Sequence, residues 1–235
     1  MWRGCRSCER QLLLLAETLK RLARRAVAEG LGTAFLLATV VGSGIMGERL
    51  AGGNAAIALL ANTLATGAGL AAFILMFGSI SGAHLNPVVS LAETLRGRLP
   101  QRELAVYLAV QVVGAFGGVA LAHIMFGEPL FFASHHERSG IGQHVGEFVA
   151  TFGLLAIVSS CRPSAAPFAV GSYIAAAYWF TSSTSFANPA VTLARAASDT
   201  FAGIRPLDVP GFVFSQFLGA LAATYVFNWL LSEED

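Results

Sequence analysis

The chain has 235 residues, 55% of them hydrophobic and 12% charged, and a net charge of +1 at neutral pH. Soluble domains carry about 25% charged residues, so this chain lacks the polar surface to cover itself in water. Its near-neutral balance leaves no electrostatic footprint for a nucleic-acid partner. The composition implies a polytopic membrane protein of one compact domain, with the lipid bilayer as its surroundings.

Residues 1–25 read as a cytoplasmic tail. The apolar run from Leu12 to Ala16 is shorter than the roughly 7–15 residues of a signal h-region, and Lys20, Arg21, Arg24 and Arg25 follow it. The tail fits an amphipathic helix on the inner membrane surface, and equally a solvated basic segment. Cys5 and Cys8 form a lone Cys-x-x-Cys without partner His or Cys residues, a weak signal that reads as incidental thiols. Cys161 stands alone, and no metal or cofactor is implied.

A helical span needs about 20 predominantly apolar residues. Six stretches qualify: 26–46, 55–77, 104–126, 141–160, 165–184 and 209–231. They define one domain over 26–231, with halves at 26–127 and 141–231 and a short tail at 232–235. Residues 55–92 and 163–194 contain no Asp, Glu, Lys or Arg, and each is longer than one span. Each excess carries Asn-Pro, in His84-Leu85-Asn86-Pro87-Val88-Val89-Ser90 and in Phe186-Ala187-Asn188-Pro189-Ala190-Val191-Thr192. Proline lacks an amide donor and favours the first helical turn, and it pushes the residue before it out of helical geometry. Each excess is therefore predicted to be an extended approach followed by a half-helix starting at Asn-Pro. Such backbone is tolerated at membrane depth only inside protein or along a wet cavity.

The halves repeat further. Glu29 and Glu147 each open a span with a Thr four residues on (Thr33, Thr151), and Gln111-x-x-Gly114 matches Gln216-x-x-Gly219. Three spans per half is an odd number, so the second copy is inverted, and inverted repeats with broken helices place the site near mid-membrane. Of the 15 basic residues, eleven fall on the side of the N-terminus, against Arg49, Arg138, Arg195 and Arg205 on the other. The positive-inside rule then puts both termini in the cytoplasm of a multi-pass cell-membrane protein.

These features together resemble the aquaporin, or major intrinsic protein, family. Ser-Gly-Ala-His-Leu-Asn-Pro at residues 81–87 looks like its first signature motif, and the resemblance covers roughly residues 26–231. It implies an all-α fold of six transmembrane helices and two re-entrant half-helices, and a homotetramer with one pore per subunit. The pore motifs are then Asn86, Pro87, Val88 and Asn188, Pro189, Ala190, with Val88 where the family's usual form has Ala. Val191 stands where water-selective members and most glycerol channels carry an Arg. Counting from the motifs, the resemblance assigns the outer constriction to Thr66, Ala176 (or Ala175 or Ala177), Ser185 and Val191, an uncharged set. It also implies that Glu29 and Glu147 accept hydrogen bonds from loop N–H groups that are otherwise unmet.

The mechanism follows from two half-helix N-termini, each worth about +0.5 of a charge, and two asparagine amides facing a water path. Acceptors along it are the carbonyls of residues 82–85 and 184–187. The expected function is passive passage of water and small uncharged solutes, with protons and ions excluded. The missing Arg points to a wide pore for glycerol-like polyols, and it resembles a bacterial subgroup linked to arsenite, so undissociated metalloid acids belong to the expectation. The alternative is an ion-coupled secondary transporter, for which Glu29 and Glu147 are the candidate coupling groups. No clustered acid/base or metal set suggests an enzyme.

Arg195 lies one turn beyond Val191. It either returns a positive charge toward the outer mouth or pairs at the surface with Asp199, four residues on; the second is the commoner arrangement. His84 lines the cytoplasmic vestibule or bonds loop backbone. His135-His136-Glu137 lacks a third ligand at a suitable spacing for a metal. Gly114-x-x-x-Gly118 permits close helix contact.

Overall fold

The computed structural model describes residues 6–232, with side chains from Arg10 onward. Its helices are α1 (Arg6–Leu50), α2 (Ala55–Ser81), α3 (Pro87–Leu95), α4 (Gln101–Phe126), α5 (Ile141–Ser160), α6 (Ala166–Phe180), α7 (Pro189–Arg195) and α8 (Val209–Leu230), and a 3-10 turn at Pro206–Asp208 precedes α8. The described residues contain no strand. α3 and α7 are the predicted half-helices. α1, α2, α4, α5 and α8 are long and apolar enough to cross a membrane. α6 has 15 residues and turns extended at Thr181, so the span predicted to reach residue 184 ends earlier.

The largest departure from expectation is α1. It runs unbroken for 45 residues, about 68 Å at 1.5 Å per residue, roughly twice the hydrocarbon thickness. Residue 25 therefore marks no structural boundary, and the basic segment is neither a separate surface helix nor a coil. Leu12 to Leu15 and Leu19 are exposed along this projecting part, and Arg25 is fastened to Glu103 at the base of α4. Cys5 and residues 233–235 lie outside the described residues, as does the side chain of Cys8.

The halves pack alike. α1 lies against α4 and α2, α5 lies against α8 and α6, and α2 meets α6 across the repeat axis. The repeated Gln-x-x-Gly explains part of this. A Cβ on Gly114 would sit 2.2 Å from the Gly30 carbonyl oxygen, and one on Gly219 2.5 Å from that of Phe148. Gly118 has the same role, its Cβ position lying 2.2 Å from the Ala34 carbonyl oxygen. Small residues thus let α1 touch α4, and α5 touch α8, at backbone distance. Gly114→Ala should force α1 and α4 apart, costing roughly 1–3 kcal/mol by overpacking. The thermal midpoint in detergent should fall by roughly 5 °C or more. Gly117→Ala, with open space around the new methyl group, is the control and should not lower it.

At the end of the bundle away from the described termini, two long connections are laced together. Ser134 N–H donates to the Ala196 carbonyl (3.0 Å) and Arg205 N–H to that of His136 (2.7 Å). Arg138 N–H donates to Asp208 Oδ2 (2.8 Å). The 127–140 connection is thereby tied to the 196–208 connection at this distal end.

Candidate functional site

α3 and α7 start where Asn-Pro predicts. Asn86 (φ −159°, ψ 123°) and Asn188 (φ −157°, ψ 113°) are extended N-caps. Asn86 Oδ1 accepts from Val88 N–H, and Asn188 Oδ1 from Ala190 and Val191 N–H. Each cap satisfies donors that a helix start leaves open. The approaches are left-handed at Gly82, Ala83 and Leu85, and at Thr184, Ser185 and Ala187, with φ between 47° and 94°. Non-glycine residues in that region persist only where their surroundings hold them.

Two buried carboxylates do the holding. Glu29 Oε1 accepts from Ser81 Oγ (2.6 Å) and His84 N–H (2.9 Å), and its Oε2 from Leu85 N–H (2.7 Å) and Gln111 Nε2 (2.8 Å). Glu147 Oε1 accepts from Phe186 N–H (2.8 Å), and its Oε2 from Ala187 N–H (2.9 Å) and Gln216 Nε2. The same glutamines reach into the half-helices, Gln111 to Ser90 Oγ (3.0 Å) and Gln216 to Thr192 Oγ1 (2.8 Å). The repeated Glu and Gln are thus one clamp built twice. Neither carboxylate lines the central cavity.

The two loops also hold each other. Asn86 Nδ2 donates to the Ala187 carbonyl and Asn188 Nδ2 to the Leu85 carbonyl, both at 2.8 Å. A carboxamide has two N–H hydrogens, so one on each asparagine is left without an acceptor among the described residues, and both asparagines line the cavity. Leu85 and Ala187 therefore give one lone pair to the opposite loop, a cross-link that spacing alone did not show. Pro87, Val88, Pro189 and Ala190 are buried in the surrounding packing and do not line the cavity. The Val at position 88 fills core and leaves the lumen unchanged.

The cavity, about 230 Å³, runs past both asparagines from Glu93 and His84 to Arg195. Opposite the loops its wall is apolar, with Ile74, Val170 and Ile174 among the lining residues. His84 does both things expected of it: it lines the cavity, and its Nδ1 lies 3.0 Å from Ser90 Oγ.

Three of the four constriction residues carried over by spacing, Thr66, Ser185 and Val191, line this cavity, and the fourth does not. Ala176 is exposed on the outside of α6, and neither Ala175 nor Ala177 reaches the lumen. α6 instead presents Val170, Ile174 and Tyr178, one helical turn apart. Tyr178 Oη lies 3.4 Å from Thr66 Oγ1, so an aromatic ring with a polar edge replaces the expected methyl group. Among the described residues Ser185 Oγ is buried without a hydrogen-bond partner, which leaves it free for a passing solute.

Arg195 overturns the surface-pair expectation. It is 2% exposed and lines the cavity. Its Nε donates to the Ala202 carbonyl, and its guanidinium lies 3.3 Å from the Phe186 ring centroid. Asp199 instead takes the N–H (2.8 Å) and Nδ1 (2.9 Å) of His135, and these bonds hold its carboxyl below the usual carboxylate value. Glu137 lies 3.4 Å from Arg205. The His-His-Glu run thus fastens its connection to the one between α7 and α8.

A model of the major intrinsic protein family matches residues 17–181. The chain belongs to that family. Aquaglyceroporin AqpS of Rhizobium meliloti (strain 1021) is 54% identical over 213 residues, which cover 89% of this chain and 91% of that one. Propanediol uptake facilitator PduF of Citrobacter freundii is 35% identical over 106 residues, 45% of this chain and 38% of that one. The X-ray structure of the aquaglyceroporin from Plasmodium falciparum has the same fold, with a TM-score of 0.68 at 19% identity, covering 89% of this chain and 95% of that one.

Proposed function

We propose that this major intrinsic protein is a passive channel for water and small uncharged solutes of glycerol size, undissociated metalloid acids included. It sits in the cell membrane with both termini in the cytoplasm, as a homotetramer with one pore per subunit. The observation that carries the reading is a single cavity passing both asparagine amides, with a polar side of amide and hydroxyl groups and an apolar side of Ile74, Val170 and Ile174. A polyol has the same two-sided chemistry. Its hydroxyls meet Asn86, Asn188 and Ser185, and its carbon chain meets the apolar wall. The half-helix dipoles aim positive ends at the same point and oppose cations. Two relatives named for a glycerol-type channel and for propanediol uptake support solutes of that size.

Coupled transport fits less well. Coupling needs an ionisable group that meets the solute path, and Glu29 and Glu147 are spent on loop N–H groups away from the cavity. Stopped-flow measurement on proteoliposomes should show water and glycerol fluxes above bare vesicles, with no proton uptake reported by an entrapped dye as glycerol enters. Water flux without glycerol flux would overturn the solute reading, and proton uptake that tracks glycerol would overturn the passive one.

A further inference from the structure

The filter position Val191 is uncharged, yet the distal mouth holds two buried arginines. Arg195 comes from the last turn of α7. Arg138 comes from the connection between α4 and α5 and is 8% exposed. Both guanidiniums lie over Phe186, Arg195 at 3.3 Å and Arg138 at 5.0 Å from the ring centroid. Phe186 directly follows Ser185 of the constriction and lines the cavity, as Arg195 does, while Arg138 meets the rim through the Phe186 ring and does not itself line the cavity.

Neither guanidinium has a carboxylate partner among the described residues. Arg138 Nε donates to the Gly203 carbonyl (2.8 Å), and its NH1 lies 3.4 Å from Thr184 Oγ1. The nearby acids are engaged elsewhere, Asp208 with Arg205 and the Arg138 main chain, and Asp199 with His135. Burial lowers the Arg138 pKa to about 10, so it stays charged at neutral pH, as arginine does in proteins generally. Burying two cations beside one ring without a carboxylate partner is costly, and carbonyl oxygens, the Thr184 hydroxyl and the Phe186 ring offset it.

We infer that Arg138 and Arg195 form a collar that rejects cations at the distal mouth, one helical turn outside the uncharged ring at Val191. The charge filter and the size filter are thereby separate, which lets the ring stay open to polyols while cations are turned back before they reach it. This rests on the channel reading above. It adds specificity-determining residues, one of them on a loop, that are distinct from the filter position.

Urea and guanidinium test the collar, being planar and of similar size but differing in charge. In proteoliposomes the parent should pass urea and exclude guanidinium. The ratio of guanidinium to urea flux should rise at least tenfold in Arg138→Gln/Arg195→Gln and stay at the parent's value in Arg138→Lys/Arg195→Lys. Thr184→Glu sets a carboxylate beside Arg138 without removing either arginine. It should raise the ratio too, and it decides the matter should the double Gln variant fail to reconstitute. A ratio unchanged in a urea-conducting double Gln variant, or in Thr184→Glu when that alone reconstitutes, would sink the collar and leave the channel reading intact. A parent that passes neither urea nor glycerol would sink the channel reading itself.

Discussion

Val191→Arg should cut glycerol flux by roughly tenfold or more, equivalent to about 1.4 kcal/mol of added barrier, while reducing water flux much less. Val191 lines the lumen together with Thr66, Tyr178 and Ser185. A guanidinium there fills space that a three-carbon polyol needs and a single water molecule does not. The polyol must also surrender hydrogen bonds to pass, each worth about 0.5–1.5 kcal/mol net, and the narrowed ring offers too few donors and acceptors on the right sides to replace them. The fold should tolerate the change. The new guanidinium would reach into the lumen that Val191 lines, where water solvates it, although its like charge four residues from Arg195 works against it. Ala176→Leu is the paired control. Spacing placed Ala176 in the constriction, but it faces outward, so its enlargement should leave glycerol flux at the parent value. Stopped-flow light scattering on the same vesicle preparations reads both. Unaltered glycerol flux in Val191→Arg would mean that the limiting ring lies elsewhere.

The contrast between Val191 and Ala176 shows what was legible in the sequence. The Asn-Pro pairs, the Glu and Gln repeats and the six spans are local or periodic signals: the structure starts α3 and α7 at Asn-Pro and sets both Glu–Gln clamps against the loops, and five of the spans are helices long and apolar enough to cross a membrane, α6 being shorter. Val191 follows Asn188 inside one rigid half-helix, so counting forward was safe. Ala176 was reached by counting backward across the connection between α6 and Asn188, whose length is not fixed by any motif. α6 ends at Phe180, and the rotation of its exit puts Tyr178 on the lumen. Arg195 was misplaced for a related reason. An i, i+4 pair with Asp199 presumes that the helix continues, and α7 stops at Arg195. Arg138 left no local signal, because a loop residue's place depends on the long-range bonds that tie residues 127–140 to the 196–208 connection. The continuity of α1 was hidden by its basic run, which reads as an end of the membrane segment and says nothing of the end of a helix.

Glu147→Leu should abolish folded, conducting protein. The carboxylate accepts from Phe186 N–H, Ala187 N–H and Gln216 Nε2, and an isobutyl group offers them nothing at a depth where water is scarce. Each stranded donor costs about 1–3 kcal/mol, so three approach the roughly 5–15 kcal/mol by which whole proteins are stable. The loop they anchor holds Thr184, Ser185 and Ala187 in left-handed geometry, at about 1–3 kcal/mol each, and would relax once released. Asn188 would move with it and lose its bond to Leu85, so damage in one half reaches the other. Glu147→Gln should be intermediate. Its amide oxygen replaces one acceptor, but its NH2 must face at least one donor, so the thermal midpoint and the yield by size-exclusion chromatography fall without vanishing. Parent-like yield and flux from Glu147→Leu would refute the clamp. A proton-coupled mechanism predicts a different order of effects, with Glu147→Gln folding like the parent and losing only its coupling. The donor geometry predicts that stability is lost first, because every group around this carboxylate points a hydrogen at it.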